Sequence, residues 1–144
     1  MELIVLGLSG GIDSAGAACV AAEAVGPENV LGISMPSRFS SQHSMDDAKY
    51  TAEALGMEYA TISIDSHHSG IEHHLEQMLE EGSNVAAENI QSRLRGILVM
   101  AHANAQGRMA IATGNKSELA QGYCTLYGDM AGGYTPLGCL LYTS

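Results

Sequence analysis

The sequence predicts an α/β fold, a parallel sheet with helices on both faces, and three observations predict it. Short apolar runs end in Gly, Ser or Pro, as buried parallel strands do. Segments of helical character separate those runs, which is the βαβ alternation. A glycine pair also sits at the first strand-to-helix junction, Gly10-Gly11.

Leu3 to Leu8 is the first strand, apolar throughout and closed by Ser9 and Gly10. Ser14 to Val25 is Ala-rich and helical, and Gly26-Pro27 stops it. Val30 to Ser34 is the second strand; it enters Met35-Pro36-Ser37-Arg38, where the proline forbids a helix. Ser41 to Leu55 is helical again and closes on Gly56, and Met57 to Ile64 is the third strand. Ile71 to Glu80 reads as a short polar helix stopped by Gly82. Glu88 to about Asn104 has the strongest helical pattern, with Ile90, Leu94, Ile97, Leu98 and Ala101 expected as its apolar stripe. Arg108 to Thr113 is the fourth strand, and the chain beyond it is Gly-rich and expected to be irregular through Gly138.

The composition excludes several classes. With 46% hydrophobic and 15% charged residues, the 144-residue chain is globular rather than disordered, of a size for one domain. No apolar run reaches the length of a membrane span, and Met1-Glu2-Leu3 lacks the basic start of a signal peptide. Three cysteines, Cys19, Cys124 and Cys139, make an odd count without a CxxC, which argues against disulfides or zinc and for a reducing, cytoplasmic setting. Cys19 is expected in a helix core, and the eight methionines as core filler. A formal charge of −10 disfavours a nucleic-acid partner. Yet Arg93, Arg95, Arg108 and Lys116, four of the six cations, cluster in one region. That clustering suits either the handling of a small anion or plain surface solubility.

Gly7-Leu8-Ser9-Gly10-Gly11-Ile12-Asp13-Ser14 joins the first strand to the first helix, the place where open α/β sheets bind ligands. Paired glycines let backbone amides form an anion nest, and the helix adds its positive end. Asp13 would repel phosphate unless a divalent metal lay between them, so the loop predicts phosphate together with Mg²⁺. Neither a Walker A lysine nor GxGxxG is present. The plainer alternative is a glycine turn with Asp13 or Ser14 as helix N-cap. Two later blocks add chemistry. In Glu88-Asn89-Ile90-Gln91-Ser92-Arg93-Leu94-Arg95-Gly96, Asn89 and Arg93 share a helix face, either to grip an anion or ribose or as a solvated flank. In Thr113-Gly114-Asn115-Lys116-Ser117-Glu118, Thr113 suits a nucleotide contact and Glu118 a metal shared with Asp13; the alternative is a helix cap with its acid in the first turn. His67-His68 and His73-His74 lack tetrahedral spacing and are expected on a solvated helix.

The loop Ser9 to Ser14 resembles the SGGxDS signature of the ATP pyrophosphatase superfamily. ENIQSRLRG and TGNKSELAQGYCTLYGD, with MPSRFSS, resemble the NAD synthetase branch, and the TGNKSE wording looks more like its glutamine-dependent members. The resemblance runs from about Glu2 to about Pro136. It implies an adenine nucleotide alpha-hydrolase-like (Rossmann-like) fold and ATP contacts by Gly7, Leu8, Ser9, Gly10, Gly11, Ile12, Asp13, Ser14 and Thr113. It implies Mg²⁺ on Asp13 and Glu118, and deamido-NAD on Asn89, Arg93 and Glu118. Leu126 stands where ammonia-dependent members often carry a substrate-binding lysine. The implied reaction is amidation of deamido-NAD through an acyl-adenylate, with ammonia or glutamine as nitrogen source, in a homodimer with an upstream glutaminase domain. No membrane partner is implied. Residues 1–137 are expected to form the synthetase core, incomplete at its C-terminus. Residues 138–144 match nothing expected and read as a foreign tail, so the chain alone should bind ATP weakly and catalyse little. Two rivals stand beside this reading: another adenylating enzyme of the superfamily, such as a tRNA-modifying one, and a non-catalytic ATP-binding module of similar fold.

Overall fold

The computed structural model describes residues 2–76 and 84–139. Four strands form one parallel sheet in the order β3-β2-β1-β4: β1 Leu3–Gly7, β2 Val30–Ser34, β3 Glu58–Thr61 and β4 Arg108–Ile111. Helix α1 (Ile12–Val25) connects β1 to β2, and α2 (Gln42–Leu55) connects β2 to β3. The chain then crosses the other face through α3 (Asp65–His74) and α4 (Asn84–Gln106) before entering β4, and a short α5 (Lys116–Gln121) follows.

The central strands are apolar throughout because both faces of the sheet are covered. On one face Ile4, Leu6 and Leu8 pack with Ala17, Ala18 and Ala21 of α1 and with Ala48 and Ala52 of α2. On the other, Val5, Leu31 and Ile33 pack with Ile64 and with Val99 and Ala103 of α4. Each large side chain withdrawn completely from water, such as Ile33, contributes about 1.5–3 kcal/mol. The alanines let the helices lie close to the sheet. Ser41 caps α2 by accepting from the Ser44 N–H at 3.1 Å, and Gly56 ends it at φ +73°.

The order in which strands are added reverses between β1 and β4, while all four stay parallel. From β1 the strands step outward through β2 to β3, then the chain returns to the opposite flank of β1. The strand ends stay level, with Gly7 beside Ile33 and Leu6 beside Ile111. The loops after β1, β2 and β4 therefore emerge on one rim, around the switch point where α/β sheets bind ligands.

Several sequence expectations need correction. The third strand is shorter than Met57 to Ile64, because Ile64 is the residue that leads into α3 and its N–H goes to the Pro36 carbonyl. Helix α3 begins at Asp65, not Ile71; Asp65's own N–H bonds the Ser63 hydroxyl at 3.3 Å, and its acid sits in the first turn. The expected continuation of that helix beyond Glu76 lies outside the described residues. The face of α4 toward the sheet carries Val99 and Ala103, with Leu98 of the expected stripe packed against them, whereas Ile97 of that stripe is 62% exposed and Ala101 is exposed too. The Gly-rich segment contains a helix, α5, and its Tyr134 forms a parallel bridge to Ile111. Cys19 is exposed, Met100, Met109 and Met130 are partly in water, and His68 is wholly buried.

Candidate functional site

The loop after β1 is pinned by its own hydroxyls. The Ser9 N–H donates to Ser14 Oγ at 3.2 Å, the Gly11 N–H to Ser9 Oγ at 3.2 Å, and Ser14 Oγ to the Gly11 carbonyl at 2.9 Å. The two oxygens Ser9 Oγ and Ser14 Oγ lie 3.1 Å apart. Gly10 has φ +82°, and a Cβ there would collide with the Ser44 carbonyl of α2, so only glycine lets the loop pass. The N-cap of α1 is Gly11, without a side-chain cap, rather than Asp13 or Ser14. The first-turn amides of this helix are thus not taken up by a capping side chain, and they carry the positive end of the helix dipole.

Asp13 meets the loop after β4. Asn115 Nδ2 donates to Asp13 Oδ2 at 3.1 Å, while Asp13 Oδ1 is shielded from water and accepts from none of the described residues. The same Asn115 is the N-cap of α5: its Oδ1 accepts from the Glu118 N–H, and Glu118 Oε2 accepts from the Asn115 N–H, both at 3.0 Å. The helix-cap alternative for this segment is therefore present in the fold, with Asn115 as the cap and Glu118 as its acid. It does not separate Glu118 from Asp13, since both carboxyl groups are bonded to the same residue, Asp13 to the side chain of Asn115 and Glu118 to its backbone N–H. A hollow of about 50 Å³ beside Glu118 is lined also by Gly114, Cys124 and Asp129, among others.

A larger cavity of about 360 Å³ opens on the same rim. Its walls come from the end of β1 (Gly7, Leu8, Ser9), the end of β2 (Ser34 to Pro36), the end of β4 (Ile111 to Thr113) and α4 (Ser92, Arg95, Gly96, Val99). Thr113 and the start of the glycine loop thus face one space. Asn89 and Arg93 are not among its lining residues. They hold the segment after α5: Thr125 Oγ1 donates to Asn89 Oδ1 at 2.8 Å, and Arg93 Nε donates to the Leu126 carbonyl at 3.2 Å. Ser92 Oγ accepts from the Asp129 N–H at 3.0 Å. Gly96 and Gly128 allow that approach; a Cβ on Gly96 would lie 2.9 Å from the Gly128 carbonyl oxygen. Tyr127 takes φ +61° next to this contact.

The sequence placed Arg95 in the cluster of cations that could serve a small anion but gave it no ligand of its own. Its Nε donates to the Met35 carbonyl at 3.1 Å, it lines the large cavity, and burial lowers its pKa from the ordinary value. The signal was available: Arg95 lies three residues after Ser92 and four before Val99, hence on the face that α4 turns to the sheet rim. Arg38 is tied to α3 instead, with Nη2 2.7 and 2.9 Å from the two Glu72 oxygens.

The family described as NAD synthase matches residues 1–144. A glutamine-dependent NAD(+) synthetase of Rhodobacter capsulatus is 52% identical over 141 residues, which is 97% of this chain and 26% of the relative. A solved glutamine-dependent NAD+ synthetase from Acinetobacter baumannii, in complex with ADP, superposes with a TM-score of 0.93 at 40% identity, over 97% of this chain and 27% of that one. An NH3-dependent NAD synthetase from Campylobacter jejuni gives a TM-score of 0.86 at 36% identity, over 96% and 58%. The chain spans about a quarter of the length of the curated relatives it matches.

Proposed function

Because this chain belongs to the NAD synthase family, we propose that it is the ATP-binding, adenylate-forming part of a synthetase that amidates deamido-NAD to NAD, releasing AMP and pyrophosphate. The observation that carries the proposal is Asp13: a carboxylate at the glycine loop with one oxygen held by Asn115 and the other buried without a partner. An orphaned acceptor beside a phosphate loop fits a divalent cation, so Asp13 with Glu118 would hold Mg²⁺. When bound, it would neutralise charge on the phosphates of ATP.

The protein's own part is placement. The amides around Gly10 to Ser14 and the start of α1 would take the outer phosphates, as an anion at a helix N-terminus does. The large cavity, mostly apolar and flanked by Thr113, would take the nucleoside. The nicotinate carboxylate of deamido-NAD attacks the inner phosphorus and pyrophosphate leaves. Ammonia then attacks the acyl carbon and AMP departs. No protein nucleophile is needed, since adenylation itself creates the leaving group. In this scheme Arg93 and Asn89 serve deamido-NAD from the α4 flank, and they also fix the 125–129 segment that rims the site.

The glutamine-dependent relatives support glutamine as the nitrogen source, with a glutaminase domain elsewhere in the full-length protein. A homodimer is supported by large apolar side chains left in water on α4 and on the segment after α5, including Ile97, Leu126 and Tyr127. A reducing cytoplasmic setting fits three free thiols. No helix among the described residues is long and apolar enough to cross a membrane. Deamido-NAD-dependent release of AMP by the full-length protein tests the proposal. Release that proceeds without deamido-NAD, or unchanged in Asp13→Ala, would overturn it.

A further inference from the structure

We propose that Arg95 is the cavity's contact for the phosphate joined to the nucleoside, the one that stays bound when pyrophosphate leaves. The inference rests on the nucleotide site proposed above. Among the described residues, Arg95 is the only basic one on the cavity lining. Its Nε is fixed by the Met35 carbonyl, and among the described residues no carboxylate pairs with it. Arg38 and Arg108, by contrast, are matched to Glu72 and Glu58. A partly buried cation without a counter-charge is a cost to the fold that a bound anion removes. The cavity's other charged lining residue, Asp129, is engaged by the Thr125 N–H at 2.6 Å.

Position decides which anion. Of the glycine loop only Ser9 joins Gly7 and Leu8 on the cavity wall, and residues 10 to 14 lie outside the lining. The loop therefore serves the outer phosphates beyond the cavity. Leu8, Met35, Pro36, Met45, Val99 and Ile111 make the cavity itself a place for an uncharged ring system. A fixed guanidinium inside it meets the phosphate at the nucleoside end. Its planar fork suits two phosphate oxygens, and its charge persists at any working pH.

Calorimetry of adenosine and AMP binding to the full-length protein, wild type against Arg95→Gln and Arg95→Lys, tests this. The wild type should prefer AMP over adenosine, and Arg95→Gln should lose that preference by about ten- to hundredfold, the worth of a charged hydrogen bond. Adenosine binding should be unchanged, and Arg95→Lys should retain part of the preference. An undiminished AMP preference in Arg95→Gln overturns the inference and leaves the nucleotide site standing. Equal loss of AMP and adenosine also overturns it, by showing that Arg95 only props the Met35 segment. A wild type that binds neither overturns the nucleotide site itself.

Discussion

Asn115→Asp separates the two jobs of one side chain. Asp is as good an N-cap as Asn, so the bond from the Glu118 N–H survives and α5 keeps its capping box. The donor that reaches Asp13 Oδ2 at 3.1 Å becomes an oxygen instead. The lost hydrogen bond to a charged acceptor costs about 1.5–3 kcal/mol. Two carboxylates in its place repel by about 1 kcal/mol even at the dielectric of water. The sum, about 3 kcal/mol, corresponds to a drop of roughly 10 °C in Tm for a domain of this size. Added Mg²⁺ should reverse part of that drop, because the substitution adds a third carboxylate around the proposed metal position. Asn115→Ala loses the cap as well as the donor and gains no ligand, so Mg²⁺ should rescue it less. Thermal melts followed by circular dichroism, in chelator and then in Mg²⁺, give all the values. A variant Asn115→Asp that melts with the wild type in chelator would show that the bond between the two loops has no energetic weight.

Asp13→Ala should abolish Mg²⁺-dependent ATP binding while the chain still melts cooperatively, which calorimetry and circular dichroism check together. Gly10→Ala should destabilise by about 2–3 kcal/mol, through a left-handed backbone strain and the collision with Ser44, measurable as a shift in the urea midpoint. Arg93→Ala should weaken deamido-NAD binding far more than ATP binding in calorimetry; equal loss of both would point to collapse of the 125–129 segment instead. Glu58→Gln should cost under about 1 kcal/mol because the pair is exposed on the Glu58 side. Arg108→Ala should cost more, since its Nη1 also donates to the Ile4 and Asn29 carbonyls; equal urea midpoints for the two variants would refute that.

The sheet was readable because its central strands, β1 and β2, are buried on both faces and stand out as apolar runs beside glycines. The glycine loop was readable for a related reason: its residue types are unusual together, and the strand before it marks the rim. Periodicity misled at α4. It located the helix and placed Leu98 rightly, but it centred the stripe on Ile97, which is exposed, because a hydrophobic stripe carries no label for what covers it; the buried centre of the face is Val99 and Ala103. Helix α5 was hidden by length, since six residues give too few turns for a period, although Asn115 and Glu118 spelled its capping box. Asn115 itself was overlooked beside its charged neighbours. Its importance comes from touching Asp13, 102 positions away in sequence, which spacing cannot show.

Pairing of β1 with β4 has a consequence for how the chain is made. Leu3 lies beside Arg108, so one flank of the first strand stays bare until 105 further residues exist. Joining ends that far apart costs about 4 kcal/mol of chain entropy beyond a fixed constant. The earlier βαβαβ half thus waits with an open edge, the state most prone to sticking to a neighbour. The pocket cannot pre-exist this last docking step, so nucleotide present during synthesis should pull it forward by mass action.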